Sequence, residues 1–348
     1  EAKQEAKVDP VIVIGGGLAG LSAASEAVNQ GAPLVYVFEK EARVGGNSAK
    51  ASSGINGIFS NAQKRLQIND SVEAFTRDTI ASGKGISSQS LVDILVKEST
   101  SAIEFLEKHN VNLDVLSQCG GHSFPRTHRA KSSDDPNAKI TNVGYDIMAS
   151  LEKTLKERYS DKIKLMTLHR VTSLLTANFN GIPRVFGVRY QKVNDPAAKQ
   201  MDLKGKAVIL TSGGFGADRA LLAKYGGETL ANLPTTNGAF STGDGIKFAV
   251  ESIPSIELVD MKEIQIHPTC FVNPADPKAK TLYLAAEALR AHGGILLNQK
   301  GERFVNELGY RDHVSESIFK YCKAEIEQGP VTSYMVLSEE GAKEFGLK

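Results

Sequence analysis

Val11-Ile12-Val13-Ile14-Gly15-Gly16-Gly17-Leu18-Ala19-Gly20 begins with four consecutive apolar residues, the pattern of a strand buried on both faces. Glycines follow at once, and Leu21-Ser22-Ala23-Ala24 continues as a helix of small residues. A second apolar strand, Leu34-Val35-Tyr36-Val37-Phe38, ends in the acid Glu39. Together these form the G-x-G-x-x-G fingerprint in its strand–turn–helix–strand setting, with an acid about twenty residues on. Gly15 permits the tight turn, Gly17 lets the backbone approach a pyrophosphate, and Gly20 lets helix and strand pack closely. The helix N-terminus offers N–H groups and a positive dipole end to the phosphates. Glu39 is placed to accept a ribose 2′-OH. The stretch predicts a dinucleotide site.

Working outward, Gly45-Gly46-Asn47-Ser48 and Ala51-Ser52-Ser53-Gly54-Ile55-Asn56-Gly57 form a second stretch rich in small residues soon after the acid. A nicotinamide domain has no need of it. A longer ligand such as FAD, continuing past the pyrophosphate toward its ring, does. This run contains no histidine, so a histidyl–flavin bond is not available there and the FAD is expected to be noncovalent.

Composition narrows the classes. A net charge of +1 over 348 residues gives no basic surface for nucleic acid. No apolar run approaches the roughly 18 residues that span a bilayer. Cys119, Cys270 and Cys322 lie far apart, without metal-ligand spacing, and fit a reducing compartment; no metal site is expected. Residues 1–7 are polar and read as a linker or processed end.

Helical patterning marks Ser71–Ser82 and Ser90–His109, the latter with Leu91, Ile94, Leu95, Ile103 and Leu106 as a core-facing stripe. Gly120–Arg129 is a polar loop with two histidines and two arginines, open to two readings: facing an anionic ligand, or solvated. Asp134-Asp135-Pro136-Asn137 reads as an exposed turn. Val143–Tyr159 is a crossover helix, followed by a short strand at Lys164–Met166. Strands at Val171–Leu175 and Val185–Tyr190, turning at Asn180-Gly181, begin a small meander, and Ala207–Leu210 leads the chain back to the cofactor sheet. Asp244, in Ser241-Thr242-Gly243-Asp244-Gly245, is placed to cap a helix or to bind a flavin side chain. Ile264-Gln265-Ile266-His267-Pro268-Thr269 resembles a strand ending in histidine.

The ordered set Gly15–Gly20, Gly45-Gly46-Asn47, Thr211–Phe215, Thr242–Gly245, His267-Pro268-Thr269, Glu287–Arg290 and Arg303–Asp312 resembles the soluble fumarate reductases of the fumarate reductase/succinate dehydrogenase flavoprotein family. The wording of Ala285–Arg290 is most similar to the eukaryotic branch found in fungi and trypanosomatids. The resemblance implies an α/β fold: a Rossmann-like FAD-binding domain with an inserted β-meander over 8–261, then the first part of an α+β capping domain over 262–348. It implies FAD contacts at Ala19, Glu39, Asn47, Ser48, Ser52, Ser53, Val171 and Asp244. It implies substrate contacts at His267, the Glu287 region and Ser53. Hydride would pass from flavin N5 to one alkene carbon of fumarate and a proton from Arg311 to the other, with Glu287 and Arg290 returning the proton. The implied partners are a dicarboxylate and an electron-donor module carrying flavin, haem or an NADH link.

Two departures stand out. Ala286 replaces a threonine of many bacterial members, removing one hydroxyl contact. The family's later substrate-binding histidine and arginine and its flavin-closing segment have no counterpart before Lys348, so the resemblance implies a capping domain truncated here. The alternatives are a related reductase or oxidase acting on urocanate, aspartate or a ketosteroid, and a flavin-binding fragment without turnover.

Overall fold

The computed structural model describes residues 9–130, 142–195 and 197–345. The linker reading of 1–7 and the turn reading of Asp134–Asn137 lie outside them. Two compact units are present, each discontinuous in sequence: 1–50 with 145–232 and 237–262, and 51–144 with 233–236 and 263–348.

The first unit is built on a parallel sheet in the order Ala207–Leu210, Val11–Ile14, Val35–Phe38, Ile163–Met166. Val11–Ile14 is an interior strand, and Ile12 and Val13 are wholly buried, as an unbroken apolar run requires. Ile14 is in register with both Phe38 and Leu210. Gly15, Glu39 and Thr211 therefore leave the sheet side by side at its carboxyl edge, where open α/β sheets bind ligands. Gly15 has φ +110°, and a Cβ there would lie 2.4 Å from the Thr211 carbonyl oxygen. At Gly20, in the helix Leu18–Asn29, a Cβ would lie 1.9 Å from the Gly15 oxygen. Both glycines thus have the packing reasons expected of them.

An antiparallel meander, His169–Phe179, Ile182–Lys192 and Met201–Lys204, completes the unit. Its first turn places Asn180 and Gly181 at φ +52° and +85°, the left-handed pair that a two-residue hairpin loop demands. The third meander strand, Met201–Lys204, is mostly exposed and lacks an apolar signature. Val171, Leu174 and Val188 from the meander join Ile12, Ile14 and Phe38 from the sheet and Phe248 from the helix Asp244–Ser252 in one core. At about 1.5–3 kcal/mol for each fully buried large side chain, this cluster outweighs the exposed pairs of the meander.

In the second unit, the helices Val72–Ser82 and Gln89–Lys108 enclose Ile58 with Phe75, Val92 and Val96. The core-facing stripe of the longer helix is corrected here. Val92, Val96, Ile103 and Leu106 are buried, whereas Leu91, Ile94 and Leu95 are 54–67% exposed. Apolar residues occupy two faces of this helix, and only one meets the core. Thr127–Arg129 is the middle strand between Ile55–Asn56 and Val115–Ser117. It belongs neither to a ligand-facing loop nor to a solvated one. Arg126 is fully buried, with its guanidinium 2.8–2.9 Å from the carboxylates of Asp70 and Asp78. His128 is equally buried, on Ser60 Oγ at 2.7 Å. The expected strand ending at His267 is not formed: 264–268 is irregular, and a two-residue strand, Cys270–Phe271, follows it. Further on, Leu296, Val314, Ile318 and Cys322 form a separate core beneath the helix Arg311–Tyr321.

Candidate functional site

At the carboxyl edge of the parallel sheet lies a cleft of about 280 Å³ with apolar walls that include Phe38, Val171 and Phe248. Gly15, Gly17, Ala19, Glu39, Asn47, Ser48, Val171 and Asp244 line it. Gly20 does not; it is buried between helix and strand. The helix Leu18–Asn29 has no cap from its own N-cap residue, Gly17, and no acid in its first turn, so its positive end faces the cleft. A Cβ at Gly17 would meet only Ser48 Oγ, at 3.5 Å, and the Gly45 carbonyl oxygen, at 4.0 Å. The backbone there is open to a close-approaching pyrophosphate.

Glu39 lines the cleft and also holds the turn. Its Oε2 accepts the Gly16 N–H at 2.9 Å and its Oε1 the Glu41 N–H at 2.9 Å, so the carboxylate also pins the glycine turn. Asn47 is fixed by Asn237 and by the Gly238 N–H, and Ser48 Oγ accepts the Leu18 N–H at 3.1 Å. Asp244 is the first residue of its helix; Gly243 is the N-cap, so the capping role is not formed. Instead the Asp244 carboxylate pairs with Lys40 at 3.1 Å and Arg170 at 3.0 Å and accepts the Thr242 hydroxyl at 2.7 Å. Burial pushes its carboxyl up, but the hydroxyl and the two cations outweigh this and hold it below the usual carboxylate range. Lys40 and Arg170 also line the cleft. Sequence reasoning missed both, although each adjoins a residue it singled out. Lys40 and Arg170 balance the carboxylates of Asp244 and Glu39, so the helix N-terminus and the open backbone at Gly17 are what suit the cleft to an anionic dinucleotide, and the residues present fit FAD.

The other site residues lie in the second unit. Ser52 Oγ is buried with no partner among the described residues, and Ser53 Oγ accepts the Ala288 N–H at 3.3 Å. Glu287 opens a short helix, Glu287–Ala291, and is 5% exposed. Arg311 holds its Oε2 through Nε at 2.9 Å and Nη2 at 2.8 Å, and reaches Gln265 Oε1 through Nη1 at 2.9 Å. Burial raises the Glu287 carboxyl, but Arg311, Arg290 and the Gly120 N–H together hold it below its ordinary value. Arg290 is 2% exposed; its Nη1 donates to the Glu307 carbonyl at 2.6 Å, while Nε and Nη2 have no partner among the described residues. Glu287 and Arg311 are therefore joined directly, whereas Arg290 acts on them only through its field. His267 Nδ1 faces the Thr269 carbonyl at 2.9 Å. The Thr269 N–H also lies 3.4 Å from Nδ1, but the carbonyl contact is the shorter and a carbonyl only accepts, so the arrangement favours the neutral Nδ1–H tautomer, with a lone pair on Nε2. Burial, then Arg311, lowers this histidine to about 4. Gln265 and Gly120 were not singled out for this cluster. Gln265 is two residues from His267; Gly120 gave no local signal.

A glycine-lined helix N-terminus at the carboxyl edge of a parallel sheet, with an acid closing the turn, defines a dinucleotide-binding protein of the flavoprotein type. The chain belongs to the FAD-binding domain family, whose model matches residues 10–347. The cofactor is FAD, as the second small-residue stretch implied. Fumarate reductase 1 of Saccharomyces cerevisiae is 41% identical over 320 residues, which is 91% of this chain and 65% of that protein. Fumarate reductase of Schizosaccharomyces pombe is 41% identical over 337 residues, 96% of this chain and 62% of that one. The chain thus spans somewhat under two thirds of the length of these relatives. Among solved structures, the open conformation of a flavocytochrome c3 fumarate reductase superposes with a TM-score of 0.72 at 29% identity, covering 90% of this chain and 50% of that one.

Proposed function

We propose that this chain carries the FAD-binding and proton-delivering parts of an enzyme that reduces fumarate to succinate. The observation that carries the reading is the Glu287–Arg311 pair, a buried carboxylate holding a guanidinium at 2.8 Å. The relatives named fumarate reductase support the substrate. FAD is held noncovalently by 8–261, and 262–348 contributes to a capping domain. An electron-donor module carrying flavin, haem or an NADH link recharges the cofactor.

Reduced FAD supplies a hydride to one alkene carbon, and the adjacent carbon must gain a proton. Arg311 is the donor. Arginine is a weak acid, with a pKa above about 12; held against the reacting carbon, it gains from proximity what it lacks in acidity. Glu287 fixes the guanidinium through Oε2 and is the carboxylate that returns the proton. The positive charge of Arg290 and Arg311 favours a dianion and stabilises the negative charge that develops as hydride arrives. His267, neutral when free, donates from Nε2 to a substrate carboxylate once protonated, which a bound dianion favours. Ser53 and the Glu287 region complete the substrate contacts. A substrate panel tests this. Chemically reduced protein under anaerobic conditions is expected to be reoxidised faster by fumarate than by urocanate or a 3-ketosteroid; a faster reaction with either of those overturns the dicarboxylate reading.

A further inference from the structure

We propose that Gly120 is a positioning residue for proton delivery: its N–H fixes one oxygen of Glu287 so that the other faces Arg311, and it is glycine because a Cβ would clash with the Gly309 carbonyl and press on that carboxylate. This rests on the reading of Glu287 and Arg311 given above.

The two Glu287 oxygens have separate duties. Oε1 accepts the Gly120 N–H at 2.8 Å, and Oε2 takes both contacts from Arg311, at 2.8 and 2.9 Å. A carboxylate anchored by one oxygen is fixed in rotation, and its second oxygen then aims the guanidinium. A Cβ at Gly120 would lie 2.8 Å from the Gly309 carbonyl oxygen, 3.1 Å from Glu287 Oε1 and 3.2 Å from the Leu308 oxygen. Gly120 is not among the residues of positive φ, so its backbone would accept an ordinary residue. The glycine is there for room.

The same loop reaches the segment that leads into Arg311: the Gly121 N–H donates to the Leu308 carbonyl at 3.2 Å. Its far end is anchored. Ser123 gives both its N–H and its hydroxyl to Asp78 at 2.7 Å, and Asp78 is held by the fully buried Arg126, which also grips Asp70. The buried ion cluster thus anchors a loop whose N–H groups hold Glu287 directly and the segment that leads into Arg311 through the Leu308 carbonyl. The charged and titratable groups acting on Glu287 are Arg290 on its own helix and, from neighbouring segments, Arg311, His122, His267 and Cys119.

The test is Gly120→Ala in the FAD-loaded protein, with Ser123→Ala as a gentler variant that keeps the amide but loosens the loop. Carbon-13 NMR of labelled glutamate, assigned with Glu287→Gln, follows the titration of Glu287. Its midpoint is expected to rise in Gly120→Ala, because a donor to the charged form is lost, and to rise less in Ser123→Ala. Flavin reduction by dithionite should be unaffected. Reoxidation by fumarate should slow about a hundredfold at saturation, the cost of roughly 1 Å of misplacement, with KM little changed. If Gly120→Ala does not fold, Ser123→Ala decides by the same readouts. An unmoved Glu287 midpoint in the folded variant overturns the proposal. If wild-type protein is itself not reoxidised by fumarate, the functional reading fails, and the NMR titration still decides whether Gly120 positions Glu287.

Discussion

Arg311→Ala removes a guanidinium that is 40% exposed from a carboxylate whose side chain is 6% exposed. Breaking a fully buried pair costs about 3–5 kcal/mol, because an uncompensated charge stays in the interior. Here water already reaches the arginine, so it can reach the vacated space. Glu287 also keeps the Gly120 N–H and the field of Arg290. The stability loss should therefore be about 1–2 kcal/mol, nearer the value of a screened pair. The rate loss should be larger. A general acid contributes about a hundred- to ten-thousandfold, and the positive charge facing the substrate is lost with it. At least roughly a thousandfold is expected, or about 4 kcal/mol of barrier. Denaturant unfolding measures the first quantity, and anaerobic reoxidation of reduced flavin by fumarate measures the second. Arg311→Lys separates charge from geometry, since lysine keeps the charge but not the planar fork. It should recover dicarboxylate binding more than rate. Near-normal kcat in Arg311→Ala with only a raised KM would refute the reasoning and make Arg311 a binding residue.

Gly17→Ala should lower FAD affinity at least tenfold, about 1.4 kcal/mol, while the apoprotein melts as wild type: Gly17 has φ −76°, which alanine accepts, and the new methyl points into the open cleft. Flavin fluorescence titration and apoprotein melting check the two halves. Acid precipitation should release the FAD into the supernatant; flavin retained in the pellet would mean a covalent bond. Free His267, lowered to about 4, is neutral at pH 6, so binding a dicarboxylate should take up a proton and affinity should weaken as pH rises. Calorimetry in two buffers of different ionisation enthalpy reads that uptake, which should vanish in His267→Gln.

What the sequence discloses is what is local. The Val11–Glu39 unit was legible because apolar runs, glycines and a terminal acid all lie within thirty residues, and the chirality of Asn180-Gly181 is written in the residue types. Met201–Lys204 was not legible, because an exposed polar strand is defined by pairing with Ile182–Lys192 and has no periodicity of its own. Periodicity also misled for Gln89–Lys108: with apolar residues on two faces, the pattern cannot say which one the core takes. Arg126 looked like a solvent or ligand-facing charge because its carboxylate partners lie 48 and 56 residues away. Gly120 and Glu287 are 167 residues apart. Family order placed Glu287 and Arg311 in one site, but the amide that orients them is a backbone group and leaves no mark on residue identity.

The central claim is that FAD held by this chain gives its electrons to fumarate. The direct measurement is a single turnover: reduce the bound flavin under anaerobic conditions, add one equivalent of fumarate, follow the return of the oxidised flavin spectrum, and quantify the product by proton NMR. The account predicts reoxidation with one succinate formed for each flavin. Flavin that stays reduced, or that reoxidises without stoichiometric succinate, would contradict it.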